Sequence, residues 1–206
     1  MKAIILAAGN SKRFCGNKLL EPFHGKPLYR YTVDMALSLP FEEIILVTQY
    51  EDILKEGQKR KEAGENLTVV HNDCPEEGIA RSIRLGTIAA GKGYDLMFFV
   101  CDQPFLKRES LLFMMQTFEE EKKGKILCAA CKDGFGKEKT GNPNIFSRCY
   151  YEEFFSLLGE QGGKKIIRNH LDEVKYFYMD EKELIDFDYR EDFDTAKDGI
   201  LDRNFG

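Results

Sequence analysis

The residues best suited to chemistry lie near the start of the chain. From Ala8 the sequence runs Ala8-Gly9-Asn10-Ser11-Lys12-Arg13-Phe14-Cys15-Gly16-Asn17-Lys18. Glycine has no Cβ, so Gly9 and Gly16 let the main chain come close to a ligand. The N–H groups of such a loop, joined by the cations of Arg13 and Lys18, suit a polyphosphate. Spacing rules out two other phosphate loops. A G-x-x-x-x-G-K-S/T loop places lysine directly after its last glycine, whereas Asn17 follows Gly16 and Leu19 follows Lys18. A G-x-G-x-x-G fingerprint is absent. The second apolar run also closes on Val47-Thr48-Gln49, without the acidic residue that fingerprint requires.

Carboxylates form the second candidate group. Cys101-Asp102-Gln103-Pro104 follows the apolar run Leu96–Val100, which places Asp102 at the carboxyl end of a central strand. Open α/β sheets bind ligands there. Facing a phosphate loop, Asp102 reads as a Mg²⁺ ligand, since that ion takes one or two protein carboxylates together with phosphate oxygens. The alternative is an aspartate that ends the strand and caps the following turn. Leu184-Ile185-Asp186-Phe187-Asp188 reads as a strand end with two carboxylates on one face. One of Asp186 and Asp188 would complete the metal site. The other would cap the helix that opens after Tyr189.

Other polar residues carry less. Lys164, Lys165 and Arg168 make a basic helical face, read equally as a solvated surface or as a phosphate contact. His24, His71 and His170 stand apart, with no partner at metal or triad spacing. Cys128-Ala129-Ala130-Cys131 has C-x-x-C spacing, but it sits in an apolar run with no second pair. It reads as two small buried hydrophobes.

Alternating elements must position these groups. Ala3–Ala7 is an apolar run too short for a helix and suited to a buried strand. A helix opened by Pro27 and closed by Pro40 follows, then a strand at 43–48, a charged helix at 51–63 and a strand at 67–70. Residues 77–90 read as a helix with small faces, 95–101 as a central strand, and 126–130 as a fifth strand after a helix marked by Leu111, Met114, Met115 and Phe118. The glycine-rich, charged stretch 132–144 reads as a long loop. Helices at 148–158 and 162–170, a strand at 174–179, another ending near Asp186 and a helix at 192–200 complete the chain. This alternation predicts a three-layer α/β/α sandwich with a mainly parallel, Rossmann-like sheet.

Composition bounds the function classes. A chain of 206 residues with 43% hydrophobic residues makes one domain, 1–206. A net charge of −5 argues against nucleic-acid or anionic-membrane partners. The first strand begins at residue 3, no run approaches membrane-spanning length, and the six cysteines read as reduced thiols. A cytoplasmic location is expected.

Leu6-Ala7-Ala8-Gly9-Asn10-Ser11-Lys12-Arg13-Phe14, with Lys18, resembles the signature L-A-A-G-x-G/S-x-R-M/F…K. That signature opens the nucleotidylyltransferases of the glycosyltransferase-A-like, nucleotide-diphospho-sugar transferase fold. A narrower resemblance runs through most of the chain. Asn72-Asp73-Cys74-Pro75-Glu76-Glu77-Gly78-Ile79-Ala80-Arg81-Ser82-Ile83 is similar to the N-P-x-x-x-x-G-M/L-x-x-S-L/I segment of the molybdenum cofactor cytidylyltransferases. Asp102-Gln103-Pro104 matches their D-Q-P, and Gly141-Asn142-Pro143-Asn144-Ile145-Phe146 their G-x-P-x-x-F. Gly159-Glu160-Gln161-Gly162 resembles G-D-x-G, and Asp186-Phe187-Asp188 with Glu191-Asp192 resembles D-I-D-T-x-E-D. Cys15 stands where the family has glycine, and Tyr189 where it has threonine.

The resemblance implies transfer of CMP from CTP to molybdopterin-bound molybdenum, with release of pyrophosphate. A molybdenum hydroxylase of the xanthine dehydrogenase type is the implied partner enzyme. Arg13, Lys18 and Asp102 would be catalytic. Leu6, Ala7, Ala8, Gly9 and Ser11 would line the nucleotide with Arg13 and Lys18, and Gly78 and Ser82 would lie against base or ribose. Asp102 with Asp186 or Asp188 would hold Mg²⁺. Gly141, Asn142 and Pro143, with Lys164, Lys165 and Arg168, would meet the acceptor. Nucleotide binding falls to about 1–130 and acceptor binding to about 131–206. Two alternatives remain open: a nucleotidylyltransferase acting on a sugar or methylerythritol phosphate, and a non-catalytic nucleotide-binding accessory protein for molybdoenzyme maturation.

Overall fold

The computed structural model describes residues 1–9, 14, 16–120 and 125–197. Its first strand, β1 (Lys2–Ala7), lies inside a seven-stranded sheet. A two-stranded ribbon follows, β2 (Pro22–Phe23) and β3 (Lys26–Pro27), then helix α1 (Tyr29–Leu37). Pro27 therefore belongs to the ribbon and not to the first turn of a helix. Its lack of an N–H is harmless in so short a pair. The chain continues through β4 (Ile44–Thr48), α2 (Glu51–Glu62), β5 (Leu67–His71), α3 (Ile79–Ala90), β6 (Leu96–Val100) and α4 (Arg108–Glu120).

The sheet order is β5-β4-β1-β6, followed by β8 (Glu138–Phe146), β7 (Ile126–Lys132) and β9 (Val174–Tyr178). β8 runs antiparallel to both its neighbours, and every other pairing is parallel. The stretch expected as a loop at 132–144 is therefore largely a strand. Only its turn, closed by Gly136 N–H on Asp133 O and by Lys137 N–H on the Asp133 carboxylate, is irregular. Polar residues hid this strand because the outer half of β8 is exposed and needs no apolar alternation.

Side chains alternate across the sheet, and each face carries its own core. Ile5, Leu46, Met97 and Leu127 pack on one side with Val33, Ile53 and Met114, from α1, α2 and α4. Ile4, Val47, Phe98 and Phe146 pack on the other with Ile83 of α3, the 3₁₀ segment Arg148–Ser156 and Ile166 of α5 (Gly163–Asn169). The buried Cys128 belongs to this second core, and burial pushes its thiol up to about 12. The expected sandwich is therefore present.

A third cluster lies beyond the sheet's carboxyl ends. Phe14, Phe23, Leu28, Phe187, Phe193 and Ala196 are buried together, with Phe23 edge-on to Phe187 at 5.0 Å. Phe193 and Ala196 come from α6 (Arg190–Lys197). The segment ending near Asp186 is not a strand. A 3₁₀ turn, Glu181–Leu184, leads into an extended stretch that Phe187 N–H ties to Asp102 O at 2.9 Å.

Candidate active site

The carboxyl ends of β1 and β6 open into a cavity of about 470 Å³. Leu6, Ala8, Gly9, Lys18, Gly78, Ser82, Asp102, Glu160 and Asp188 are among its walls. This lies within the range of about 300–1,000 Å³ usual for small-molecule sites. Leu6, Ala8 and Gly9 reach it because they end the first strand. Ala7 alternates inward and is fully buried in the core, so only its carbonyl faces a neighbour. Ser11 and Arg13, with Cys15, lie outside the described residues.

Three side chains at and just after the end of β4 hold the loop's start. Thr48 Oγ1 donates to Ala7 O at 3.0 Å, Gln49 Nε2 to Ala8 O at 2.8 Å, and Tyr50 Oη to Gly9 O at 2.6 Å. A trans peptide points its N–H opposite to its C=O. Pulling the Ala7 and Ala8 carbonyls toward β4 therefore turns the N–H groups of Ala8 and Gly9 the other way. The sequence reading missed this role. Its trace is the polar run Thr48-Gln49-Tyr50 placed directly after an apolar strand.

Lys18 Nζ donates to Asp102 Oδ2 at 2.8 Å and to Asp188 Oδ1 at 2.9 Å. Burial pulls the lysine's pKa down, but the two carboxylates outweigh it and hold the amine above its ordinary value. Lys18 is thus a fixed cation. Asn17 supports it by accepting Leu19 N–H on its side chain at 3.1 Å. Among the described residues the other Asp102 oxygen, Oδ1, is buried and has no hydrogen-bond partner. A carboxylate oxygen in that state is costly unless a ligand completes it.

Asp186 and Asp188 flank the fully buried Phe187 and point away from it. They have different partners. Asp188 meets Lys18, whereas Asp186 accepts Gln103 Nε2 at 2.9 Å. Crowding by protein and then the charge of Asp102 push the Asp186 carboxyl up to about 6. Asp192, in the first turn of α6, reaches back to accept the N–H groups of Asp188 and Tyr189 at 2.7 Å each. Among the described residues no group of three or more metal-ligating side chains converges.

Gly78 stands at φ +80°, and a Cβ there would lie 2.4 Å from Gly159 O. Ala80 N–H binds that same carbonyl at 3.0 Å. The start of α3 is therefore seated on the turn that carries Glu160. Sequence reading assigned Gly78 to the ligand, but this packing is what requires a glycine.

A second cavity of about 620 Å³ adjoins the first, and the two share Leu6, Ile79, Val100 and Glu160. Its floor includes Phe98, Phe146 and Phe154, and its rim includes Asn142, Lys164, Lys165 and Arg168. Gly141 lies beside it against Leu184, at 3.5 Å from an added Cβ, and Pro143 follows a cis peptide bond. Asn144, missed in the sequence reading, also faces this cavity, and its Oδ1 is buried without a partner. The three basic residues thus line a concave wall next to the nucleotide-sized cavity.

Among the described residues no helix is long and apolar enough to cross a membrane. Residues 3–174 match the family described as MobA-like NTP transferase domain. A probable molybdenum cofactor guanylyltransferase of Thermococcus kodakarensis is 32% identical over 125 residues, 60% of this chain and 56% of that protein. The chain thus spans little more than half the length of that relative. A protein of the same description from Thermococcus gammatolerans is 28% identical over 94% of this chain and 92% of its own. Among solved structures, Rv0371c of Mycobacterium tuberculosis superposes with a TM-score of 0.75 at 22% identity, covering 96% of this chain and 98% of that one. The 4-diphosphocytidyl-2C-methyl-D-erythritol synthase of Anaerococcus prevotii gives 0.74 at 18%, covering 97% and 95%. These likenesses establish the fold, that of the nucleotide-diphospho-sugar transferases.

Proposed function

The chain belongs to the MobA-like NTP transferase family, and on that premise we propose that it is a nucleotidyltransferase that moves CMP from CTP onto the terminal phosphate of molybdopterin-bound molybdenum cofactor. Pyrophosphate leaves. The observation that carries this reading is the pair of joined cavities, one walled by Lys18 and Asp102, the other rimmed by Lys164, Lys165 and Arg168. A donor triphosphate and an anionic acceptor placed in them would share the wall formed by Leu6 and Val100.

The acceptor phosphate is already an anion, so no strong base is needed, and catalysis rests on positioning and charge neutralisation. Lys18, held cationic by two carboxylates, offsets charge on the leaving pyrophosphate, and we assign Arg13 the same task. Leu6, Ala8, Gly9 and Ser11 supply main-chain groups to the nucleotide, and Gly78 with Ser82 bounds its base. A divalent cation fits the residues present. Asp102 has an unpartnered buried oxygen, and Asp188 meets the same lysine. Mg²⁺ would be held by Asp102 and Asp188 and would supply further charge neutralisation at the phosphates. Asp186, gripped by Gln103, then steadies the segment that carries Asp188. Residues to about 130 supply most of the nucleotide wall within one domain, 1–206. Those from about 131, including Gly141, Asn142 and Pro143, shape the acceptor side. A cytoplasmic setting and a xanthine dehydrogenase-type client follow from the same reading.

GTP as donor is a second reading, favoured by the guanylyltransferase names of the curated relatives. Ala8, in the nucleotide wall, adds a methyl group beside the base and favours the smaller pyrimidine. Calorimetric titration with CTP and GTP decides between them. Tighter CTP binding, relaxed toward GTP in Ala8→Gly by roughly tenfold, supports the cytidylyl reading. Tighter GTP binding by the unmodified protein replaces it with the guanylyl one. Pyrophosphate release that requires a sugar or methylerythritol phosphate and ignores molybdopterin would move the assignment to the other acceptor class. Binding without any release would leave an accessory protein.

A further inference from the structure

The two cavities share Leu6, Ile79, Val100 and Glu160, and of these only Glu160 is charged. Its side chain is exposed, and among the described residues it makes no hydrogen bond and no ion pair. The turn that carries it is nonetheless fixed. Ala80 N–H donates to Gly159 O at 3.0 Å, Gln161 N–H to Leu158 O at 3.0 Å, and Arg84 Nη1 to Leu157 O at 3.1 Å. A Cβ on Gly78 would stand 3.0 Å from Glu160 N, so the turn lies directly against the start of α3. A carboxylate held on a fixed turn where two anion-binding cavities meet needs a reason, since it repels phosphate.

The proposed reaction restricts what Glu160 can meet. The α-phosphate of the donor has to reach the acceptor phosphate, so both lie where the cavities join, and a carboxylate attracts neither. A carboxylate accepts hydrogen bonds and donates none. The ribose is bonded to the α-phosphate at one end and to the base at the other. It therefore passes between that junction and the wall of Gly78 and Ser82 that bounds the base. Its 2′- and 3′-hydroxyls are the hydrogen-bond donors nearest the junction. We propose that the Glu160 carboxylate accepts the ribose hydroxyls of the bound nucleotide, so that the site selects a ribonucleoside triphosphate over its deoxy forms. Acidic side chains hold ribose in the same manner at dinucleotide sites. The fixed turn lowers the ordering cost of the contact. The inference rests on the nucleotide reading of the first cavity and not on the choice of base, since CTP and GTP carry the same sugar.

The test is calorimetric titration of the full chain with magnesium. The ligands are the tighter-binding of CTP and GTP, its 2′-deoxy and 3′-deoxy forms, and inorganic tripolyphosphate. The unmodified protein should bind the ribonucleotide at least about tenfold tighter than one or both deoxy forms. In Glu160→Ala the three nucleotides should fall within about twofold of one another, through loss of ribonucleotide affinity. Tripolyphosphate binding should stay the same or tighten there, because a negative charge is gone. Glu160→Gln, which keeps one acceptor oxygen, should retain part of the preference. Glu160 is exposed, so both variants should fold. A ribonucleotide preference that is absent from the unmodified protein, or that survives in Glu160→Ala, overturns the inference and leaves the nucleotide reading standing. An equal loss for all four ligands does the same, since it marks a structural residue. Failure of the unmodified protein to bind any nucleoside triphosphate overturns both.

Discussion

Strands β5, β4, β1 and β6 and strands β8, β7 and β9 make one sheet by different rules. The first four are parallel and joined through helices, and their carboxyl ends carry Ala8, Gly9 and Asp102 toward a common edge. The last three enclose the antiparallel β8 and are covered by short 3₁₀ and helical turns. The first half faces its ligand with fixed charge, a lysine locked between two carboxylates. The second presents the basic side chains of one short helix over an aromatic floor. Under the proposed function the first half would meet the triphosphate and the second the acceptor.

The sharpest way to break that contrast is Asp102→Asn. It should lower kcat by roughly 100- to 1,000-fold while circular dichroism and melting stay close to those of the unmodified protein. Turnover within threefold of normal would remove Asp102 from the chemistry. Lys18→Met should weaken triphosphate binding by about 30- to 100-fold in calorimetry, since one fixed cation is lost and two carboxylates are left facing the phosphates. Unchanged binding would make Lys18 a structural tie only. Gly78→Ala tests the seam between the halves. Strain at positive φ and the clash with Gly159 O should cost about 2–4 kcal/mol in denaturant unfolding. Equal stability would mean that the turn at Gly159 yields freely. The smallest effect is expected from Lys165→Ala with Arg168→Ala. Acceptor KM should rise about 3- to 10-fold with nucleotide affinity unchanged, and a change in nucleotide affinity instead would erase the division of labour.

The parallel half was legible in the sequence because buried strands flanked by helices write themselves as apolar runs and helical periods. Leu96–Val100 is the plainest case. The other half was not, for two physical reasons. The outer part of β8 is solvated, so Lys-Thr-Gly-Asn carries no pattern of burial. The stretch before Asp186 is held by Phe187 N–H on Asp102 O, a tertiary bond that no local motif announces. Within the site, Lys18, Asp102 and Asp188 could be named from residue type and spacing, but not their mutual geometry. Gln49 and Tyr50 were overlooked because they act on other groups of the site and carry no charge of their own. The backward reach of Asp192 to Asp188 N–H was not anticipated, since the sequence shows acids near a helix start but not which N–H each one meets.

The aromatic cluster of Phe14, Phe23, Phe187 and Phe193 joins the two extremes of the described chain. Proteins emerge from the ribosome amino end first. Phe14 and Phe23 are therefore made well before their packing partners Phe187 and Phe193. Until Phe187 and Phe193 arrive, Phe14 and Phe23 have no companions from the carboxyl-terminal segment, and Lys18 lacks Asp188. A nascent chain can make its parallel strands first, yet the cavity at their carboxyl ends gains its Asp188 wall only once that residue is made. Partial products stalled upstream of Asp188 would lack the second carboxylate on Lys18.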